Sequence, residues 1–559
     1  MKLIIKSKEL DYNHEINYDK IHIFTQFFIP SNNHRYNELK YCLQENEKNT
    51  HVDQIHLLNE KLYTSNELGI NSNKIIQTNI QKRLTFENVF SYIRENKIQG
   101  YFILLNSDIC IFKHTLTRLK QSDFHLSKQM CALLRYECNY QNMTKSHIFG
   151  PRADSQDAWI FHSNFMIPQH TEKIFSFEFG KPGCDNKMIY LMSVLGYNII
   201  NDPHNLQIMH VHSSKKRPYS RYDAIHLPAG IIIPASFQHS EMKTQLGIDL
   251  KKFAIWSNHF QSLMFDDNKI LHDYISLKLT QNQHFIIPRI SGIENNVAVF
   301  AHTIHQQLHH DTEPLIAYIK KTLPAMKNNA GIKLSQEDSV IYYSNLYLSA
   351  FDHCDLLGGW EPQGDYIGHI AQSHAFMQNY YKNKQFIWAY VFDIFHYIYN
   401  QPWTQSLKGK RILLISPFQE TLQEQINIRK QIYDGIELFP ECEFITLKPP
   451  QTQADQRSDE FAVEFDKFKT RVDEKLEFFD VALVSCGGYA NPICSHIYSK
   501  GKSAIYVGGV LQMYFGILGN RWIKERPDIV KLFYNQYWKR PKMSERPLNY
   551  NKVENGCYW

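Results

Sequence analysis

Tyr101-Phe-Ile-Leu-Leu-Asn106-Ser107-Asp108 is an apolar run of strand length that stops at a carboxylate. A strand buried on both faces reads this way, and open α/β sheets bind ligands at the carboxyl ends of such strands. A carboxylate placed there suits a hard divalent cation shared with a diphosphate. Strands also end in Asn or Asp simply to turn the chain, so the motif gains weight only from its surroundings. Four features follow it. Ser155-Gln-Asp157-Ala-Trp159 sets a carboxylate two residues from an amphipathic ring. Gly180-Lys-Pro-Gly183-Cys-Asp185-Asn186 is a glycine-hinged turn that delivers Asp185 at the start of an apolar helix, Met188 to Leu195. His210-Val-His212 ends a further apolar segment, and Lys215-Lys216-Arg217 comes immediately after.

These are the residue types that sugar transfer from a nucleotide-sugar donor requires. The diphosphate leaving group calls for a divalent metal and cationic side chains. Asp108 with His210 or His212 supplies ligands for Mn2+ or Mg2+, and Lys215, Lys216 and Arg217 supply the cations. An acceptor hydroxyl needs a general base. Asp185 is the candidate, Asp157 is the second carboxylate, and Trp159 offers a stacking wall for a sugar. Each has a structural counterpart: Asp157 and Asp185 as helix caps, the histidines as core residues, the basic triplet as a solvated turn. Their joint presence in this order favours the chemistry.

The second half has site-like features of its own. Pro288-Arg289-Ile-Ser-Gly292-Ile-Glu294 follows a strand with a cation, a hinge and a carboxylate. Two strand-like runs open into Cys486-Gly487-Gly488 and into Gly508-Gly509, and glycines there let backbone N–H groups approach a phosphate. Tight turns between strand and helix are the structural counterpart. Arg289, Gly487, Gly488, Gly508 and Gly509 are therefore candidate donor contacts, and Glu294 a candidate catalytic carboxylate.

The elements that position these residues form a strand–helix rhythm, which implies a mostly parallel α/β sheet. Strands are expected at residues 21–28, 52–58 and 74–78. Helices are expected around Tyr36, Leu39 and Leu43 and around Phe86, Val89 and Ile93. The pattern blurs after about residue 225, giving a first domain over 18–225, a connector over 226–264 and a second α/β domain over 265–559. In the second domain, Leu271 to Leu279 reads as a helix, residues 285–288 and 410–416 as strands, and Phe386 to Tyr399 as an aromatic buried helix. Ser416-Pro-Phe-Gln419 has capping-box spacing.

At 559 residues two or more domains are expected. With 43% hydrophobic residues and a net charge of only +5, the chain is globular and nucleic-acid binding is not indicated. The ten cysteines show no CxxC pair, which fits a reduced, cytoplasmic setting better than a disulfide framework. No signal-peptide pattern and no 18-residue apolar run is read. The basic, aromatic tail from Arg521 to Trp559 offers at most weak peripheral contact with a membrane or an anionic acceptor. Oligomeric state is not encoded in any motif.

On these residues the first half resembles GT-A-type glycosyltransferases. Asn106-Ser107-Asp108 stands where that family has its Asp-x-Asp motif, Gly183-Cys-Asp185-Asn186 resembles the catalytic acidic loop, and His210-Val-His212 the terminal metal-binding histidine. Arg35, Glu38 and Arg83 match positions flanking the donor pocket. Asn106 departs from the family's usual Asp. The second half resembles GT-D-type glycosyltransferases: residues 287–294 stand for an early Asp-x-Glu element, with Gly292 at its first acidic position, and residues 485–489 and 508–522 for later glycine-rich segments. The resemblance implies two Rossmann-like α/β domains and a glycosyltransferase moving a sugar to a glycan acceptor. Metal dependence falls in the first domain, and the second would carry a second transfer. The alternatives are a non-catalytic glycan-binding or scaffold protein, or only one active domain.

Overall fold

A computed structural model of the chain describes residues 19–139, 142–213, 223–225, 230–237, 265–360, 369–392, 402–433 and 435–559. It divides into two compact units, residues 1–263 and 264–559. The expected connector is described only at 230–237, and Lys215, Lys216 and Arg217 lie outside the described residues.

Unit 1 is built on a seven-stranded sheet. Strands β1 (Ile21–Thr25), β2 (Gln54–Asn59), β3 (Ile75–Asn79) and β4 (Tyr101–Leu105) run parallel, in the order β4-β1-β2-β3. β5 (Ile109–Ile111) leaves this sheet. β6 (Gln129–Leu133), β9 (Ala158–His162) and β10 (Asn198–Ile200) extend it beyond β4, with β9 antiparallel to both neighbours. β7 (Tyr136–Asn139), β8 (Asn142–Ile148) and β11 (Ile208–Val211) join β5 in a smaller sheet, ordered β5-β11-β7-β8. The short run Asn106-Ser107-Asp108 therefore bridges two sheets.

Local chemistry sets the helix starts. Helix α1 (Asn33–Lys48) begins where the Asn32 side chain accepts from the His34 and Arg35 N–H groups, which fixes Arg35 in the first turn. Helix α2 (Phe86–Glu95) begins with a capping box between Thr85 and Asn88. Both bury one apolar stripe: Leu39 and Leu43 from α1, and Phe86, Val89, Phe90 and Ile93 from α2. Each such side chain contributes about 1.5–3 kcal/mol when fully buried. Strands β4 and β9 are buried at every position, as centre strands of a doubly covered sheet must be.

Unit 2 holds a five-stranded, all-parallel sheet ordered β12-β18-β17-β15-β16. The strands are β12 (Ile286–Ile287), β15 (Arg411–Ile415), β16 (Glu443–Leu447), β17 (Val481–Val484) and β18 (Ser503–Tyr506). A second parallel pair is β13 (Leu356–Gly359) with β14 (Gln385–Trp388). The aromatic run from Phe386 is thus a strand followed by a 3-10 turn, Ala389–Phe392, not a helix as far as residue 392. The Trp388 N–H donates to Asp267, 2.7 Å away, outside any helical pattern. Residues 271–279 are helical as expected, within Phe265–Thr280. Ser416 does not form a capping box. The helix Gln419–Asn427 instead takes its cap from Glu545, which accepts from the Glu420 and Thr421 N–H groups.

Candidate metal and donor site

Antiparallel pairing aligns Ile109 with His210, and the Val211 N–H donates to the Asp108 carbonyl at 2.9 Å. The two histidines thereby flank Asp108. His210 Nε2 lies 3.1 Å from Asp108 Oδ2, and His212 Nδ1 lies 3.5 Å from the same oxygen. One atom from each residue can meet within 4.8 Å, a spacing that suits a shared cation. Parallel pairing of β11 with β7 sets Glu137 opposite His210, and Glu137 Oε2 holds His210 Nδ1 at 2.8 Å. A carboxylate on one imidazole nitrogen fixes the tautomer and frees the other for a ligand.

Arg35, placed by the α1 cap, closes the cluster. It donates to Asp108 Oδ2, to Glu38 at 3.0 Å and to the Val211 carbonyl at 3.2 Å. Glu38 is buried and also accepts from the Ser213 N–H and hydroxyl. Arg135 donates to Glu137 at 2.7 Å and to Asp157, and its guanidinium lies 4.0 Å from the Phe149 ring centroid. Burial alone would raise the Asp108 and Glu137 carboxyls. His210 on both, with His212 and Arg35 on Asp108 and Arg135 on Glu137, holds Asp108 well below the usual range and Glu137 at about 2. Burial alone would lower His210, yet Asp108 and Glu137 raise it to about 9.

The donor set is one carboxylate oxygen and two imidazoles, which fits Mn2+ better than Mg2+. His212 supports that fit. Both of its ring nitrogens are buried without a regular hydrogen bond among the described residues, Nδ1 having only the 3.5 Å approach to Asp108, so a ligand can take one of them.

Asp185 lies in the first turn of helix α3 (Cys184–Val194), entered through Gly183 at φ 79°. It is buried and accepts from the Gln156 N–H at 3.1 Å. Burial and the nearby Asp157 and Asp154 charges raise its carboxyl to about 7, against the backbone N–H donors that lower it. Asp108, Asp157, Asp185, Arg35 and Arg83 line one cavity of about 950 Å³. Arg83 donates to the Phe179 carbonyl and lies 3.4 Å from Glu178. Ser107 shares the wall.

Two expectations change. Trp159 cannot stack a sugar. It is wholly buried on β9, edge-on to Phe86 and Phe179 at 4.9 and 5.9 Å, because a centre strand has no exposed face. Asn106 lines the cavity and its amide donates to Asp157 at 2.8 Å. Asp157, bonded to Arg135 and Asn106, is committed to the wall and poorly placed to take a proton. Arg135 and Glu137 were not singled out from sequence. The signal was present in Arg135-Tyr-Glu137 directly after the apolar run 130–134.

In unit 2, β12, β18 and β17 are neighbours, so Arg289, Gly508-Gly509 and Gly487-Gly488 all leave the carboxyl edge of one sheet. Arg289, Gly487, Gly508, Gly509 and Glu294 line a cavity of about 600 Å³. The glycines make room for protein rather than for phosphate. A Cβ at Gly488 would meet Ile332 at 2.3 Å, one at Gly508 would meet Arg289 at 2.2 Å, and one at Gly509 would meet Tyr558 at 2.6 Å. Gly487 packs against the Ala330 carbonyl, and the Gly508 N–H is spent on the Val484 carbonyl.

No protein-family model matches the sequence, and no curated protein is similar to it. Solved structures give partial likenesses. GalNAc-T7 with UDP, GalNAc and Mn2+ is 10% identical, with a TM-score of 0.26 over 36% of this chain and 45% of that one. The mannosyltransferase PcManGT from Pyrobaculum calidifontis with GDP-Man and Mn2+ is 9% identical, with a TM-score of 0.24 over 36% and 59%. A 4-diphosphocytidyl-2C-methyl-D-erythritol synthase is 11% identical, with a TM-score of 0.23 over 37% and 95%. The chain thus spans about half the length of the first two. Likeness of this degree leaves the chemistry of the cavity to its own residues.

Proposed function

We propose that the protein is a glycosyltransferase that moves a sugar from a nucleotide-sugar donor to a glycan acceptor, with a Mn2+-dependent site in unit 1. The observation that carries this reading is the Asp108, His210 and His212 cluster, with Glu137 behind His210 and Arg35 beside it. Those three ligands would hold the cation, which when bound absorbs charge on the diphosphate leaving group. His210 must give up its Nε2 proton to serve, while Glu137 keeps the Nδ1 proton. Arg35 and Arg83 remain at the cavity wall as fixed positive charge for the phosphates. Asp185 accepts the proton of the acceptor hydroxyl as that oxygen bonds to the anomeric carbon. The bond from that carbon to the diphosphate breaks, and the nucleoside diphosphate leaves with the electron pair. A single displacement of this kind inverts the anomeric centre. Unit 2 would carry a second transfer, with Glu294 as its carboxylate and Arg289 at the donor.

A second reading, a non-catalytic glycan-binding or scaffold protein, draws on Asn106. Residue 106 carries an amide where the resemblance has a carboxylate, and that amide is spent on Asp157. Incubation of the purified chain with a panel of nucleotide sugars, with Mn2+ and with EDTA, separates the two by release of free nucleotide. Turnover that needs Mn2+ and disappears in Asp108→Ala supports the enzyme. Absence of both donor binding and turnover across the panel leaves the scaffold reading.

A further inference from the structure

The cavity of unit 2 holds two charged side chains, Arg289 and Glu294, that form no ion pair among the described residues. Arg289, half-buried at the end of β12, donates to the Val507 carbonyl at 2.6 Å. Its guanidinium lies over the Trp360 ring, 4.6 Å from the centroid, and 5.8 Å from that of Tyr506. Trp360 is itself held by a 2.9 Å bond from its indole N–H to the Ile290 carbonyl. Among the described residues no carboxylate forms an ion pair with Arg289, whereas Arg521 in the same cavity pairs with both Glu525 and Glu554.

Glu294 also lacks an ion pair among the described residues, and burial raises its carboxyl above the usual range. His374 lines the cavity at 7% exposure, with Nδ1 lacking a hydrogen bond among the described residues. A half-buried guanidinium without an anion is uncompensated charge. A guanidinium fixed on an aromatic face matches the oxygens of a phosphate better than an ammonium does. Among the described residues, the grouping of His, Cys, Asp and Glu side chains able to hold a metal lies in unit 1, and Glu294 has no such companions.

We propose that the unit 2 cavity binds a phosphate ester, of the nucleoside mono- or diphosphate class, through Arg289 and without a divalent cation. The choice of a nucleotide rests on reading unit 2 as a second sugar-nucleotide site; the anion site itself rests on the unpaired guanidinium. Arg289 supplies the countercharge that a metal supplies in unit 1, Glu294 is left to accept from a ligand hydroxyl, and His374 offers a further polar contact.

The test is calorimetric titration of the full-length chain in EDTA with inorganic pyrophosphate, UDP, GDP and CMP, and with methyl glucuronide as a carboxylate control. Saturable binding of pyrophosphate or a nucleotide is expected in EDTA. Arg289→Gln should weaken it at least about tenfold, and Arg289→Lys should restore it only in part. Glu294→Gln should strengthen pyrophosphate binding by removing a like charge. Circular dichroism checks each variant, and if Arg289→Gln does not fold, Arg289→Lys against wild type in EDTA decides.

No binding in EDTA, binding that appears only with Mn2+, binding indifferent to Arg289, or preference for the glucuronide overturns the proposal. Loss of Mn2+-dependent turnover in the unaltered chain would instead remove the unit 1 reading and leave this one standing.

Discussion

Around Asp108 in unit 1 each acid meets a base: Asp108 meets His210 and Arg35, Glu137 meets His210 and Arg135, and Asp157 meets Arg135. In unit 2, Arg289 and Glu294 share a cavity, and among the described residues neither forms an ion pair. A buried network survives only if closed, because breaking one partner strands a charge. Unit 1 therefore has a largely closed scaffold in which His212, with neither ring nitrogen hydrogen-bonded among the described residues, is left open to the proposed cation. In unit 2 a guanidinium lacks an ion pair among the described residues, and the ligand proposed for it is an anion. The same α/β edge has been equipped with opposite electrostatics.

Removing Asp108 should break the comparison most completely. Asp108→Ala is expected to lower Mn2+-dependent nucleotide release by about 10²–10³-fold. Pyrophosphate binding in EDTA should be untouched, as titration of the same variant will show. A parallel loss of both would mean that the two cavities are not chemically separate. Glu137→Gln should have the next largest effect. It leaves the ligands in place but weakens the hold on His210 Nδ1, so the Mn2+ concentration for half-maximal turnover should rise about 10–100-fold. Saturating Mn2+ should recover most of the rate; failure to recover would make Glu137 more than an orienting group.

The fold was largely legible because periodicity and strand-end chemistry are local. The run 101–105, the stripes of α1 and α2 and the glycine entry to Asp185 are all readable in short windows of sequence. The candidate site was legible where it is made of motif residues, Asp108, His210 and His212, which the fold brings together. Arg135 and Glu137 were hidden because they become site residues only through the parallel pairing of β7 with β11, about 70 residues apart. Trp159 misled for the opposite reason. An amphipathic ring beside a carboxylate looks like a sugar platform until β9 proves to lie between β4 and β6, with both faces covered.

The raised carboxyl of Asp185 gives a smaller, pH-dependent test. A base must be deprotonated, so the rate should climb as pH rises through about 7 and fall about tenfold between a high-pH plateau and pH 6. Its effect on stability has the opposite sign. Between the unfolded carboxyl near 3.8 and the folded value of about 7, the native state binds the extra proton, so stability falls as pH rises through that window and levels off above it. Asp185→Asn should flatten this part of the stability profile. A rate profile flat between pH 6 and 8 in wild type would remove Asp185 as the base.

Trp159→Phe should have the smallest effect on function, and it is informative for that reason. If the ring were a stacking wall, truncation would raise KM for the donor or acceptor. Buried between Phe86 and Phe179, it contributes packing alone. The variant should lose about 1–2 kcal/mol of stability from the smaller ring, seen as a lower Tm. KM and kcat should stay within about twofold of wild type, since uniform binding is unaltered. A change in KM without a change in Tm would mean that the sugar reaches β9, and that the sheet opens there in a way its burial does not suggest.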